Sequence, residues 1–535
     1  MKSLEISPAN SLGLQASIMP EYGRIAGEPA EYIKLNMKLL SGTAPTHKGA
    51  TPRSYWPCRL GCWALAAVMA AAPVAANEAN DLPSLGGVGG GLISSQMETE
   101  IGEMVMTSIR RSARQVHDPL VEDYLADVVY RLVPYTPLDN RNLKLVVIDS
   151  PMLNAFAVPG GIIGVNGGLF LNAETEQQFG SVIAHELAHL SQRHFARRME
   201  QQQANAPLTI AGVIAGIVLS AVTRSDIGIA AIAGTQAAAI QNMLQYSRAH
   251  EQEADRIGME IMATAGMDPR GMPEMFEIMM RQNRLQGGHL PEYLSTHPLT
   301  QSRVSDTRSR AAQYPVDDVS DALEYHLVRA RLQVHYARSA TQAADAFASY
   351  IREAGDSAPP AVHYGLAVAL KRQGDLAQAE TVIKGLLADY PGRISYLVTL
   401  ANIHLRQGQA QDARTLMEQA LARNPRNYPI TVTLAEAELK LGNGPRAAEL
   451  YRLLTRRFPE RAELWSRLAE AEGLARDIVG VHRARAEYEL LMGNPDAAVR
   501  QLREAQEKAQ PGTPVRQVVT ERLSQISANL PASMR

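Results

Sequence analysis

The sequence predicts a mainly α-helical protein, with one small sheet in front of a helix in its first half and an α-solenoid in its second. Three observations carry this. Apolar residues recur at helical spacing from Ile101 onward, three short β-rich runs lie between Leu143 and Asn166, and glycine, alanine and proline return with a period of 34 residues between Gly374 and Pro459. The chain has 535 residues, 46% hydrophobic and 20% charged, enough for two or more globular domains. A net charge of −2 gives no electrostatic reason to expect nucleic acid, and none is expected as a partner. Aromatic residues make up only 5%, which fits closely stacked helices and not an aromatic β-sandwich.

Residues 1–76 read as a leader with a secretory signal. Arg53 and Arg59 precede the apolar run Leu65–Ala72, and Val74 and Ala76 supply the small residues for cleavage near Ala76. Met37 is the expected true start. Cys62 precedes the apolar core, where a lipidated cysteine would follow it. The two cysteines, Cys58 and Cys62, are thus lost with the signal, and the mature chain needs neither disulfide nor thiol chemistry. The signal implies export. A glycine-rich linker, 77–94, follows.

The domain expected at 95–320 opens with two helices, marked by Ile101, Met104, Val105 and Ile109 and then by Val121, Tyr124, Leu125, Val128 and Leu132. Leu143–Asp149, Asn154–Pro159 and Ile162–Asn166 read as strands, with Gly160-Gly161 turning the chain between the last two. Asn172 is read as the N-cap of the next helix, and Glu174 and Glu176 place negative charge where the macrodipole favours it.

That helix contains His185-Glu186-Leu187-Ala188-His189. At i and i+4 the two imidazoles project from one face and can reach one metal ion. Glu186 beside them is placed to take a proton from an attacking water whose pKa zinc would lower to about 7. Two solvated surface histidines are the bland alternative, but Phe179, Val182, Ile183, Leu187 and Leu190 form an apolar stripe alongside, so the pair sits at a buried margin. A catalytic zinc needs a third protein ligand and an open position. Glu251 and Asp255, again at i and i+4, offer that ligand and a carboxylate to hold the far nitrogen of a ligand histidine. Glu253 points elsewhere, and His250 has the wrong phase to join them. A solvated acidic face remains the alternative for this segment taken by itself.

His185–His189, then Ser247-Arg248-x-x-Glu251-x-x-Ala254-Asp255, then Thr296-His297-Pro298 with Arg303, resemble the gluzincin peptidase family of HtpX, the CAAX prenyl proteases and the BepA-like proteins. The likeness spans roughly 95–312. It implies a zinc metalloendopeptidase with one Zn2+ per chain, held by His185, His189 and Glu251, with Glu186 as general base and Asp255 behind a ligand. It also implies that Asn154, Ala155, Phe156, Ala157 and Val158 form the edge strand on which substrate lies, and that Arg303 stabilises the transition state. His297 is implied to sit on a loop, Tyr293–Pro298, that covers the metal and gates the site. A His-Pro turn capping the next helix is the other reading of the same residues.

Leu208–Val222 and Ile227–Ile240 are nearly free of charge. The first is shorter than the ~20 residues that cross a bilayer, so a hairpin packed on the protease is favoured over a peripheral membrane contact.

The region 321–535 carries the repeat. Gly374, Gly408 and Gly442, Ala379, Ala413 and Ala447, and Pro391, Pro425 and Pro459 are each spaced by 34, the tetratricopeptide period. Weaker copies are expected at Tyr336–Tyr350 and Gly493–Ala498, the latter thrown out of phase by an insertion near Gly473–Val481. With the BepA-like resemblance, this layout implies a protease of the Gram-negative periplasm acting on misfolded or stalled outer-membrane proteins, with the repeat groove holding clients or the assembly machinery. A mostly latent protease serving as a chaperone or scaffold, and a membrane-associated housekeeping protease, are the alternatives.

Overall fold

The computed structural model describes residues 94–201, 247–285, 292–315 and 322–528. The expected signal, the glycine-rich linker and the apolar stretches Leu208–Val222 and Ile227–Ile240 lie outside the described residues.

Helices α1 (Ser95–Ser112) and α2 (Pro119–Leu132) bury the predicted stripes: Ile101, Val105 and Ile109 in one, Val121, Tyr124, Leu125, Val128 and Leu132 in the other. Met104, counted with the first stripe, is exposed, because the helix turns only about 100° per residue and position 104 has rotated off the buried face. Three strands follow, β1 (Lys144–Ile148), β2 (Ala155–Val158) and β3 (Ile162–Asn166), in the order β1-β3-β2. β3 is buried throughout and pairs with β1 in parallel and with β2 in antiparallel fashion, which leaves β2 at the sheet's margin.

A short helix α3 (Gly167–Asn172) leads into α4 (Glu176–Ser191), which carries the histidine motif. Here one expectation is corrected. The N-cap of α4 is Thr175, whose side chain accepts from the Gln178 amide, while Asn172 closes α3 and turns its own amide back to the Gly168 carbonyl. Glu176 at the helix start accepts from Tyr124 Oη at 2.5 Å and from Arg131 Nη2 at 2.6 Å, so its charge is both dipole-favoured and paired. Then come α5 (His194–Gln201), α6 (Arg248–Thr264), α7 (Gly271–Leu285), α8 (Glu292–Thr296) and α9 (Gln301–Ala311).

Twelve further helices are described: α10 (Leu323–Tyr336), α11 (Ala340–Ala354), α12 (Pro360–Gln373), α13 (Leu376–Asp389), α14 (Ile394–Arg406), α15 (Ala410–Arg423), α16 (Tyr428–Lys440), α17 (Gly444–Arg457), α18 (Ala462–Leu474), α19 (Ile478–Leu491), α20 (Pro495–Lys508) and α21 (Pro514–Ala528). The first helices of successive pairs start at 360, 394, 428 and 462, and the second at 376, 410, 444 and 478. Both series advance by 34, so no insertion interrupts the array near Gly473–Val481. The phase holds from α12 to α19, while α10 and α11, starting at 323 and 340, and α20 and α21, starting at 495 and 514, depart from it. What hid the fourth repeat is that Arg476 stands where Gly374, Gly408 and Gly442 stand in the others, and all four adopt positive φ: 60°, 102°, 79° and 72°. Glycine meets that conformation without strain, whereas arginine does so at a cost. Ala379, Ala413 and Ala447 are fully buried where paired helices touch.

Helix α10 joins the two halves. Tyr325, Val328 and Leu332 lie in one core with Phe170 and Phe179, while Leu327, Ala330 and Val334, on the opposite face, belong to the first repeat core. The array also contacts the start of α2. Leu120 packs among Leu397, Ile430 and Leu434, Asp118 pairs with Arg331 (Nε–Oδ2 3.0 Å), and Glu122 Oε2 accepts from Tyr428 Oη at 2.8 Å and Arg461 Nη1 at 2.6 Å. The repeat face is therefore engaged in part by the chain's own helix.

Candidate metal centre

Helices α4 and α6 build the site. Gly258 lies one turn beyond Asp255, and a Cβ there would sit 3.2 Å from the His185 amide nitrogen and 3.3 Å from the Ala184 carbonyl carbon. Its bare backbone lets α6 lie directly on α4, bringing Glu251 and Asp255 to the histidines. His185, His189, Glu251 and His297 are all buried, and each offers a ligand-type atom within 4.8 Å of the others.

His185 Nε2 and His189 Nε2 face each other at 3.0 Å, and Glu251 Oε1 stands 3.3 Å from His189 Nε2. Two imidazole nitrogens that close, ringed by carboxylate, call for a shared proton or cation between them. Glu186 is 1% exposed, and neither of its carboxylate oxygens has a hydrogen-bond partner among the described residues. An orphaned carboxylate beside a two-histidine, one-glutamate donor set fits a metal ion with solvent on its open side.

The charges are held from behind. His185 Nδ1 is 3.0 Å from Asp255 Oδ1. Arg303 forks onto Asp255 through Nε and Nη2, both at 2.7 Å. Its Nη1 donates to the Pro298 carbonyl at 2.9 Å and lies 2.6 Å from Glu251 Oε2. The Arg303 side chain is 2% exposed and turned to the two carboxylates. Burial would push the Glu251 carboxyl up, but the His297 and Arg303 charges hold it well below the ordinary range. For Asp255, burial is likewise outweighed by the Arg303 hydrogen bonds, and its pKa is lowered. Burial pulls His185 down, yet Asp255 and Glu251 lift it to about 9, whereas burial leaves His189 well below its usual value.

His297 follows α8, its amide bonded to the Tyr293 carbonyl at 2.9 Å and its ring stacked on Tyr293 at 4.6 Å. Nδ1 is 3.1 Å from Glu251 Oε1 and 3.4 Å from His185 Nε2, and Nε2 is 3.6 Å from Glu186 Oε1. The cap of the following helix is Thr300, which accepts from the Arg303 amide, so the His-Pro pair does not serve as that cap. The strand residues Ala155–Val158 occupy β2 at the margin of the sheet, beside α4, with Phe156 and Ala157 partly exposed and Asn154 buried just before it.

Sequence reasoning missed His194, which is fully buried with Nδ1 2.9 Å from His189 Nδ1 and Nε2 3.2 Å from Glu253 Oε2. Burial lowers its pKa to about 4. His250 stacks on it at 4.5 Å, and Glu253 is also paired with Arg197. No helical spacing relates His194 to His189, so no periodic signal announced it.

The model of peptidase family M48 matches residues 119–311, and tetratricopeptide repeat models match 360–383, 404–471 and 479–504. The chain is 35% identical to a putative beta-barrel assembly-enhancing protease of Vibrio cholerae over 351 residues, 65% of this chain and 72% of that one. It is 34% identical to the beta-barrel assembly-enhancing protease of Escherichia coli K12 over 334 residues, 62% and 68% of the two chains. A mitochondrial metalloendopeptidase OMA1 of Arabidopsis thaliana is 32% identical over 166 residues, 31% of each.

Proposed function

The chain belongs to peptidase family M48, among its beta-barrel assembly-enhancing members, and from that premise we propose that this metalloprotease uses one zinc ion to cleave stalled or misfolded outer-membrane β-barrel proteins in the periplasm. The observation that carries the reading is the orphaned Glu186 carboxylate beside the His185, His189 and Glu251 cluster. Zinc held by those three residues supplies Lewis acidity for the scissile carbonyl and the attacking water. Substrate lies as an added strand along Ala155–Val158, where main-chain hydrogen bonds hold it irrespective of sequence. Glu186 takes the proton of the attacking water and passes it to the leaving amine. Asp255 fixes the tautomer of His185, and Arg303 holds Glu251 and Asp255 in place. His297, stacked on Tyr293, covers the open side as a gate. The repeat face receives the client or the assembly machinery.

The engagement of the repeat face by α2 and the burial of His297 favour a second reading, a protease silent at rest whose scaffold role dominates. Among the described residues no helix is long and apolar enough to cross a membrane. The test is crosslinking and mass spectrometry of wild type against Glu186→Gln in the periplasm, together with metal analysis of both. Full metal content, cleavage lost by 10²–10⁴-fold, and β-barrel precursors accumulating on the variant are expected. A wild-type protein without stoichiometric zinc would sink the hydrolase reading. His297→Ala should raise cleavage if the residue gates, and abolish it with zinc retained if it acts directly.

A further inference from the structure

Each ligand histidine of a metal site needs a partner on its far nitrogen, because an imidazole whose metal-facing nitrogen carries the proton cannot coordinate. For His185 that partner is Asp255. For His189 the partner shown at Nδ1 is a second imidazole. The atom there is His194 Nδ1, at 2.9 Å and buried.

The chain is bent to make this contact. α4 ends at Ser191, and Arg193 takes φ 50°, a left-handed conformation that is strained for an L-residue. Its side chain is pinned to Glu98 Oε1 at 3.2 Å, and the turn folds His194 back under His189 instead of letting the helix carry it away. Local strain held at a buried polar contact is evidence that the contact has a use.

We infer that His194 is a positioning residue for metal binding: its Nδ1 accepts from His189 Nδ1–H, and its Nε2–H donates to Glu253, which fixes His189 with its Nε2 lone pair toward the metal. The proton assignment follows from donors and acceptors alone. His189 Nε2 faces the cluster of His185 and Glu251, so its proton sits on Nδ1. His194 must then accept on Nδ1 and carry its own proton on Nε2, where the Glu253 carboxylate receives it at 3.2 Å. Arg197 Nη1, 3.1 Å from the same Glu253 oxygen, holds the end of the chain in place. The two ligand histidines are thus oriented by different means, one by a carboxylate directly and the other by a carboxylate acting through a second imidazole.

This inference rests on the zinc site proposed above. Its test is competition for zinc between the full mature chain and a chromophoric chelator. His194→Leu should lower zinc affinity by about 10–100-fold, the usual cost of losing such a partner. His194→Asn, whose Oδ1 stands near the position of Nδ1 and accepts likewise, should recover most of that loss. Glu253→Ala, a change at a part-exposed residue, should cost less than His194→Leu. If His194→Leu does not fold, His194→Asn and Glu253→Ala decide: affinity near wild type in the first and reduced in the second is expected, and wild-type affinity in Glu253→Ala overturns the relay. Equal losses in His194→Asn and His194→Leu, or zinc affinity unchanged in His194→Leu with only the melting temperature lowered, would make His194 a packing residue. Absence of zinc binding in wild type would instead strike the proposed function.

Discussion

Charged side chains are paired at both the metal centre and the joint between the protease and the repeats, and they are buried differently there. At the centre, Arg303, Glu251 and Asp255 are each 0–2% exposed. At the joint, Arg331 is paired with an Asp118 side chain 25% exposed, and both partners in the Arg461–Glu122 pair are 18% exposed. Water has some access to Asp118, Glu122 and Arg461 at the joint, although Arg331 is buried, and almost none to the three charged groups at the centre. The same pairing chemistry is therefore expected to dominate stability in one region and merely adjust it in the other.

The largest expected effect follows from removing the shared cation at the centre. Arg303→Met leaves two carboxylates buried without their counter-charge and should cost about 3–5 kcal/mol, with metal lost in parallel. Thermal melting and metal content would measure both. Arg303→Lys should not rescue, because a point charge cannot reproduce the fork onto Asp255. A variant that melts like wild type would erase the contrast between the two regions.

Next is the approach of the two helices. Gly258→Val adds methyl groups against the His185 and Ala184 backbone, which cannot yield as a flexible side chain would. About 2–3 kcal/mol of destabilisation is expected, within the range for overpacking. Metal affinity should fall because Glu251 and Asp255 are pushed away from His185. Gly258→Ala should do the same more weakly, and unchanged metal affinity in both would mean that the helices have room to spare.

At the joint, Asp118→Asn should cost about 2 kcal/mol, the scale of hydrogen bonds to charged groups, since Arg331 keeps Tyr364 and Thr399 as partners. Burial opposes ionisation of Asp118, but Arg331 outweighs it and holds the carboxyl below its ordinary value. A depressed folded pKa contributes stability that is complete above the ordinary carboxyl pKa of about 4 and is lost as pH falls through the folded value. Acid melts from pH 5 downward should therefore be steeper in wild type than in Asp118→Asn. Identical slopes would show the pair to be idle.

The two regions also differ in how far their sequences could be read. At the centre, His185 with His189 and Glu251 with Asp255 are pairs one helical turn apart, so geometry within a single helix announced them. Asp255 lies 3.0 Å from His185 Nδ1. Arg303 was found by its place after His297, but its partners Glu251 and Asp255 come from distant parts of the chain, and no local pattern announced that pairing. His194 was hidden by the turn at Arg193. Likewise Leu120, inside the predicted α2 region, gave no sign that it enters the repeat core, because the partners it meets lie hundreds of residues later.

In the repeats, a glycine signature was legible wherever the turn used glycine and vanished at Arg476, although the backbone there is the same. This suggests the smallest and most specific test. Arg476 is exposed and holds φ 60° where the three earlier repeats place glycine. Arginine pays a left-handed penalty of about 1–2 kcal/mol, and glycine would add about 0.5–1 kcal/mol of chain entropy to the unfolded state. Arg476→Gly should therefore stabilise by roughly 0.5 kcal/mol, while Gly442→Ala, the mirror change one repeat earlier, should destabilise by about 1 kcal/mol. Opposite signs in denaturant midpoints would establish that the fourth turn is the third with a costlier residue. Equal signs would mean that the side chain of Arg476 has a contact worth more than its strain.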